Sequence, residues 1–144
     1  MTILDSNVLL YAANADAPQQ RPASYWLAKL FASGEVVGLP WLSLWAFLRV
    51  STNGRIWPNP LSGHEAGALI KGWIEQPAVV VPEPGPRHTE IIQRMIEVYG
   101  ATGALVTDAA LAALAIEHGA TLASTDQDFR RFPEVRWVNP LASS

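Results

Sequence analysis

Residues 2–9, which read TILDSNVL, decide the fold of this chain. A short apolar run ends at Asp5, and a second apolar run begins directly after Asn7. Such a pattern is typical of a buried strand followed by a helix, because Asp, Ser and Asn side chains accept hydrogen bonds from the first amides of a helix. We therefore expect a strand at residues 2–4, with Asp5 at the carboxyl end of what should be the central strand.

Strand and helix patterns alternate along the rest of the chain. Further strands are predicted at residues 35–39, 78–81, 121–124 and 136–138. Helices are predicted at residues 8–13, 18–33, 41–51, 62–74 and 89–99, and from 107 or 108 to 118. This alternation, with no repeat and no linker, predicts one α/β domain over residues 1–144. Its architecture should be a three-layer α/β/α domain with a mainly parallel central sheet.

The composition excludes several classes of protein. With 49% hydrophobic and 16% charged residues, the chain of 144 residues can bury a core, which excludes a disordered protein. A net charge of -3 excludes a globally basic nucleic-acid binder, so any contact with RNA must come from local arginines or through a metal. The absence of Cys excludes disulfides, thiolate metal sites and a Cys nucleophile. No apolar stretch reaches membrane-spanning length, and the N-terminal segment has no basic n-region and no long apolar h-region, so we expect a soluble cytoplasmic protein.

Four acidic side chains follow short apolar runs. They are Asp5, Asp108, Asp126 and Asp128, and the runs are residues 2–4, 104–107 and 120–125. In an open α/β sheet the carboxyl ends of parallel strands meet at one crevice, which is the usual ligand site. Carboxylates gathered there would repel one another unless a cation lay between them. The pattern therefore predicts a site for a hard metal ion and hydrolytic chemistry.

Each of these aspartates also has a purely structural interpretation. Asp5 and Asp108 are each well placed to cap a helix, and taken alone Asp5 is more simply explained in that way. Asp126 and Asp128 fit a polar turn after a strand. If these aspartates had only structural roles, three separate acidic positions would fall at strand ends by independent coincidences. The metal site is therefore favoured. Hydroxyl and backbone groups next to the acids are candidates for orienting them: Ser6, Thr107 and Thr125.

Several segments together resemble one protein family. They are residues 3–9 (ILDSNVL), 108–115 (DAALAALA), 118–120 (HGA) and 124–129 (STDQDF). The opening segment resembles the start of PIN domains, specifically of the VapC-type toxins, and the later segments resemble the C-terminal half of that family. The resemblance spans essentially the whole chain. It implies a PIN-like fold, an endoribonuclease dependent on Mg²⁺ or Mn²⁺, a cognate antitoxin that blocks the site, and a homodimer.

The chain departs from that family at one position. The family usually places a Glu in the helix after the second strand, where this chain has Ala46, and residues 36–64 contain no acid at all. We therefore expect Asp5 and Asp108 to be the core metal ligands, with Asp126 next. Asp128 is then the residue that decides whether a second metal can bind. A single Mg²⁺ with waters completing its octahedron is sensible for such a set.

Contacts with RNA and with a partner are less strongly indicated by the sequence. The candidates for phosphate contacts are Arg49, Arg130 and Arg131, and ordinary solvated charges are an equally good explanation of the pair Arg130 and Arg131.

Trp57, in a Pro-rich loop, is the best candidate for an exposed aromatic side chain. Trp45 falls on an apolar helix face and is expected in the core, although Trp41 and Trp45, one helical turn apart, could line a groove for an antitoxin peptide.

Three functions from different classes remain. The first is a metal-dependent endoribonuclease that acts as a toxin. The second is a degenerate PIN domain that binds RNA or a protein without cleavage, which Ala46 slightly favours. The third is an unrelated α/β phosphotransfer domain with an Asp nucleophile. That third class would need an acidic pair at the first strand and a late Lys, but no Lys follows Lys71.

Overall fold

The computed structural model describes residues 1–142, and a wholly parallel sheet of five strands lies at its centre. The strands are β1 (Thr2–Leu4), β2 (Val37–Gly38), β3 (Val79–Val80), β4 (Thr121–Ala123) and β5 (Arg136–Val138). Their order across the sheet is β3-β2-β1-β4-β5, so β1 is the central strand. The predicted α/β class with a parallel sheet is confirmed.

Helices connect the strands. They are α1 (Ser6–Ala13), α2 (Gln20–Ala32), α3 (Trp41–Ser51), α4 (Gly63–Ile74), α5 (His88–Tyr99) and α6 (Val106–Glu117), and two short 3-10 turns cover Gly103–Leu105 and Gln127–Arg131. Local signals set their ends: Ser62 and Glu65 form a reciprocal capping box at α4, and Gly100 ends α5 with φ +67°. Among the helices of residues 1–142, none is long and apolar enough to cross a membrane.

Two hydrophobic clusters cover the two faces of the sheet. Ile3 and Leu122 belong to a cluster with residues of α5 and α6, whereas Leu4 and Ala123 belong to a cluster with residues of α1 to α4. Neighbouring residues of a strand point to opposite faces, so this division places a helical layer on each side of the sheet. The result is the expected three-layer arrangement.

The pairing of β1 with β4 determines what meets at the carboxyl edge. Leu4 is opposite Ala123 in the parallel register, and the Asp5 amide donates to the Ala123 carbonyl at 2.9 Å. The first residue after β1 and the first residue after β4 are therefore brought side by side. On the other side of β1, the buried Ser43 hydroxyl of α3 donates to the Leu4 carbonyl at 2.7 Å.

The segment before Asp108 differs from the expectation. The sequence pattern places Asp108 at a strand end after the apolar run 104–107, but Gly103–Leu105 is a 3-10 turn and α6 begins at Val106. Asp108 thus lies in the first turn of α6, neither at a strand end nor at the N-cap. The reason is that this apolar run is not buried, since Val106 is 50% exposed. A short apolar run does not by itself distinguish a strand from the start of a helix.

Two tryptophans also lie where the sequence did not predict them. Trp57 is only 7% exposed, and it lines a cavity of about 210 Å³ with residues of α1. The expectation of an exposed Trp57 is therefore wrong. Trp45 is 62% exposed instead of lying in the core. A Pro-rich loop can fold an aromatic ring back onto the protein, and helical spacing alone does not show which face of α3 is covered.

Candidate active site

Asp5 joins the end of β1 to the start of α1. It is the N-cap of α1, and its Oδ1 accepts a hydrogen bond from the Ser6 amide at 2.7 Å. Its Oδ2 accepts from the Ser124 hydroxyl at 2.7 Å and from the Asn7 side-chain amide at 3.2 Å. Burial raises the pKa of Asp5 above its ordinary value, although the bonds from Ser124 and Ser6 act in the opposite direction. The carboxyl group is fixed in one orientation at the carboxyl edge of the sheet.

Three further carboxylates gather at this edge. Asp108, Asp126 and Asp128 each offer an oxygen, and these oxygens all lie within 4.8 Å of one another. Asp126 caps the 3-10 turn that follows β4, since its Oδ1 accepts from the Asp128 amide at 2.9 Å. Asp108 reaches the same place from the first turn of α6. The chain therefore brings acids from two separate segments into one group.

Electrostatic repulsion within this group is strong. The pKa of Asp108 is raised to about 6, first by burial and then by the charges of Asp126, Asp5 and Asp128. The charge of Asp126 also contributes to the raised pKa of Asp5, so Asp5 is electrostatically part of the same site. Within residues 1–142, no Lys, Arg or His nitrogen comes within 4.0 Å of any of the four carboxylates. The site has excess negative charge without a cationic side chain to balance it.

This donor set suits a hard divalent cation. Carboxylate oxygens are the ligands that Mg²⁺ and Mn²⁺ prefer in proteins. A cation held by the three clustered acids would also offset the repulsion that, after burial, contributes to the raised pKa of Asp108. The residues present therefore fit a Mg²⁺ or Mn²⁺ ion. The geometry places Asp126 and Asp128 beside Asp108, whereas the sequence had ranked Asp5 beside Asp108 as the core ligands.

The three residues expected to orient the acids take different positions. Ser6 contacts Asp5 mainly through its backbone amide, and its hydroxyl is 3.5 Å from Asp5 Oδ1. The Thr125 backbone amide donates to Asn7 Oδ1 at 3.1 Å, one step removed from Asp5. Thr107 is exposed in the first turn of α6, and among the described residues its hydroxyl makes no hydrogen bond to an acid.

The three candidate arginines are all exposed. Arg130 and Arg131 lie in the 3-10 turn that also carries Asp128. The Arg130 guanidinium carbon lies 5.7 Å from the centre of the Trp137 ring, so this cation is held by an aromatic face. Arg49 lies in the last turn of α3, and no hydrogen bond or ion pair within residues 1–142 links it to the acids.

Sequence reasoning missed two polar residues of the site, Asn7 and Ser124. Ser124 is fully buried, and its hydroxyl contacts both Asp5 and Asn7. A signal was available: a Ser directly after a buried apolar strand must find hydrogen-bond partners, because burying an unpaired hydroxyl is unfavourable. The identity of those partners depends on the β1–β4 pairing, which the sequence does not give directly.

Ala46 lies on α3, one turn beyond Ser43. Because Ser43 bonds to the carbonyl of Leu4 at the end of β1, this part of α3 packs against the strand that leads into the site. Residues three or four apart share one helix face. The methyl group of Ala46 offers no ligand atom on that face, so the acids of the site are Asp5, Asp108, Asp126 and Asp128.

The family model described as PIN domain matches residues 2–135 of the chain. The chain belongs to the PIN domain family. Two curated relatives from Mycobacterium tuberculosis are similar over nearly their whole length. Ribonuclease VapC37 is 41% identical over 142 residues, covering 99% of this chain and 99% of the relative. Ribonuclease VapC33 is 38% identical over 141 residues, covering 98% and 99%.

Solved structures show the same PIN fold. A chain of VapBC2 from Rickettsia felis, bound to a DNA fragment from the VapBC2 promoter, superimposes with a TM-score of 0.68 at 18% identity. That match covers 96% of this chain and 97% of the other. A chain of FitAcB from Neisseria gonorrhoeae gives a TM-score of 0.59 at 22% identity, with coverages of 97% and 98%. At these identities the likeness concerns the fold.

The raised pKa of Asp108 predicts how stability depends on pH without metal. Its folded-state pKa of about 6 exceeds the ordinary value of 3.8, so the unfolded chain releases the proton more readily. The stabilising contribution is present below about pH 4 and is lost as the pH rises through about 6. In EDTA we therefore expect Asp108→Asn to raise the free energy of unfolding at about pH 7.5 by about 1 kcal/mol, after allowance for solvent screening.

Urea unfolding of both proteins in EDTA, at about pH 7.5 and about pH 4.5, checks this expectation. The gain from Asp108→Asn should shrink at the lower pH. Asp16→Asn serves as the control, because Asp16 is exposed and lies outside the acidic site. If Asp108→Asn instead lowered the free energy of unfolding equally at both values of pH, repulsion among the acids would not be destabilising the metal-free protein.

Proposed function

We propose that this PIN-family protein is a metal-dependent endoribonuclease, which cleaves RNA phosphodiester bonds as the toxin of a toxin–antitoxin pair. The observation that carries the proposal is the group of carboxylates at the carboxyl edge of the sheet, to which no cationic side chain of residues 1–142 is paired. Relatives at 38–41% identity over nearly the whole chain are named ribonucleases, which supports the same activity here.

Asp108, Asp126 and Asp128 would hold a Mg²⁺ or Mn²⁺ ion, with Asp5 beside them. When bound, such an ion supplies positive charge that polarises the scissile phosphate and stabilises the charge that develops on it. The chain itself contributes the ligands and fixes their orientation. The Ser6 amide and the Ser124 hydroxyl hold Asp5. The Asp128 amide donates to the Asp126 carboxylate and holds it at the start of the 3-10 turn.

Asp128 compensates in this proposal for the acid that is absent at Ala46. Its carboxylate oxygen lies within 4.8 Å of those of Asp108 and Asp126, which is close enough for the three to share one ion. Asp128 is the exposed member of the group. One ion with several waters is the simplest occupancy for such a set, because Mg²⁺ usually keeps part of its hydration shell.

Cleavage of structured RNAs by the purified protein tests the function. We expect cleavage with Mg²⁺ or Mn²⁺ and none in EDTA. Asp5→Asn and Asp108→Asn should each reduce the rate about 100-fold or more, since stabilisation of transition-state charge by a metal ion is worth several kcal/mol. Asp16→Asn, which changes an acid outside the site, should cleave like the unmodified protein.

The same assay separates the competing functions. Cleavage that persists in EDTA or in both variants of the acidic site would refute a metal-dependent nuclease. RNA binding by the unmodified protein, without cleavage in either metal, would instead support a degenerate PIN domain that binds without cutting.

Arg130 is proposed as an RNA phosphate contact. The face of Trp137 restrains its guanidinium, and the Trp137 indole in turn donates to the Ser124 carbonyl at 2.9 Å. The cation is thus tied to the strand end that carries the site, and it stands two residues beyond Asp128. A cation held in place loses less entropy when it binds a phosphate. For Arg49 and Arg131, a role in RNA binding stays a prediction.

Removal of the Arg130 charge should weaken RNA binding without affecting the metal. We expect Arg130→Ala to lower RNA affinity. The slope of the logarithm of the binding constant against the logarithm of salt concentration should fall by about one, as for one lost phosphate contact. Lys29→Ala is the matched control. Lys29 Nζ also lies over an aromatic ring, 5.3 Å from the centre of Tyr25, but it lines a cavity with Thr2 and Thr121 at the opposite edge of the sheet. Equal effects of the two substitutions on RNA binding would contradict the assignment.

An antitoxin is the proposed protein partner, and an apolar groove is its proposed contact. The related structures are named VapBC2 and FitAcB, which supports such a partner. A cavity of about 600 Å³ is lined by Trp41, Trp45, Pro82, Pro84 and Leu114 among others. Trp41 and Trp45 are 41% and 62% exposed. These rings offer a surface to apolar side chains of an extended or helical peptide.

Substitution of Trp45 tests this contact. Trp45→Ala should weaken binding of the protein encoded by the adjacent upstream gene about tenfold or more, as expected for an aromatic hot spot. Tyr25→Ala, which removes a 66% exposed ring outside the groove, is the control.

The mass of the unmodified protein and of both variants should also be measured by light scattering, since a homodimer of twice 15.6 kDa remains a prediction. Loss of a dimer with unchanged antitoxin affinity would reassign the groove to self-association.

A further inference from the structure

The Ser124 hydroxyl contacts three polar groups around the acidic site. Ser124 is fully buried. Its Oγ lies 2.7 Å from Asp5 Oδ2, 3.0 Å from Asn7 Nδ2 and 3.0 Å from the Asp126 amide nitrogen. A hydroxyl can donate one hydrogen bond and accept two. These three contacts therefore use its whole hydrogen-bonding capacity.

Backbone donors fix the direction of each bond in this network. The Thr125 amide can only donate, so the Asn7 oxygen that it contacts at 3.1 Å must be the acceptor. The Asn7 NH₂ group is then left facing Ser124 Oγ and Asp5 Oδ2. The Asp126 amide also can only donate, so both lone pairs of Ser124 Oγ are occupied. Its single proton is consequently directed at Asp5.

One buried oxygen thus connects two acids from the two ends of the chain. It holds Asp5 through the carboxylate and Asp126 through the backbone amide. Asp5 follows β1 and Asp126 follows β4, so Ser124 sets the spacing of the acids across the strand pair. Asn7 keeps this hydroxyl from rotating toward any other acceptor.

We propose that Ser124, locked by Asn7, is a positioning residue that fixes Asp5 relative to Asp126 so that the acidic group can hold a divalent cation. The activity part of this inference rests on the proposed nuclease function, but the metal-binding part does not. A merely structural Ser124 would lower stability when removed and leave the metal affinity of the folded protein unchanged. A positioning Ser124 must change that affinity.

Binding of Mn²⁺ alone, followed by electron paramagnetic resonance of the free ion, tests the inference without RNA. We expect Ser124→Ala to weaken Mn²⁺ binding about 10- to 100-fold, as is usual when a group that orients a metal ligand is removed. Ser124→Thr retains a hydroxyl and should restore most of the affinity. When RNA cleavage is measured, Ser124→Ala should lower kcat and leave KM for RNA little changed.

Ser43→Ala is a closely matched control. Ser43 is 2% exposed, and its hydroxyl also makes a 2.7 Å bond at the end of β1, but to the Leu4 carbonyl and not to an acid. The Ser43→Ala variant should lose stability as Ser124→Ala does, but its Mn²⁺ affinity should stay within about twofold of that of the unmodified protein. Equal losses of Mn²⁺ affinity in the two variants, or no loss in Ser124→Ala, would overturn the inference.

Asn7→Ala provides an independent variant if Ser124→Ala does not fold. It should also weaken Mn²⁺ binding, and its effect should not add to that of Ser124→Ala, because both act through the same hydroxyl. Independent, additive effects would show that Asn7 does not act through Ser124. Failure of the unmodified protein to bind Mn²⁺ at all would overturn both the inference and the metal-dependent function. Normal Mn²⁺ binding without cleavage would overturn only the nuclease activity.

Discussion

Repulsion among the carboxylates at the carboxyl edge of the sheet is the constraint on which the site depends. Burial and three neighbouring negative charges raise the pKa of Asp108 to about 6, and the described part of the chain offers these acids no cationic side chain. We expect such a group to lower the stability of the metal-free protein above about pH 6. The β1–β4 pairing and the start of α6 hold the acids together against this repulsion, so part of the folding free energy of the scaffold is used to keep the site assembled.

Helix capping and metal binding are not alternative explanations of Asp5. The carboxylate caps α1 through the Ser6 amide while its other oxygen faces Ser124 and Asn7. The cap supplies partial positive charge from the helix terminus, which stabilises an anion there. Asp126 likewise caps the 3-10 turn while its carboxylate belongs to the acidic group. In both cases the capping bond holds the acid at the edge of the sheet, so the structural role serves the functional one.

Local patterns predicted most of the fold, and contacts between distant segments account for what they missed. The strand at Thr2–Leu4, the helix at Trp41–Ser51 and the position of Asp5 follow from short apolar runs and capping residues. Asp108 was assigned to a strand end because four apolar or small residues do not reveal whether they will be buried. The Ser124–Asn7 contact joins residues 117 positions apart, and only the parallel register brings them together. The burial of Trp57 depends likewise on packing against α1.

The alanine at position 46 changes the balance of charge as well as the number of ligands. An additional carboxylate on α3 would raise the repulsion in a group to which the described part of the chain pairs no cationic side chain. Without it, the third clustered oxygen comes from Asp128, which is exposed and lies in a short 3-10 turn. That turn is held at its start by the Asp126 carboxylate and the Ser124 hydroxyl. For the proposed metal site, we therefore expect the affinity to depend more on the order of the segment after β4, where the hydrogen bonds of Ser124 lie, than on α3.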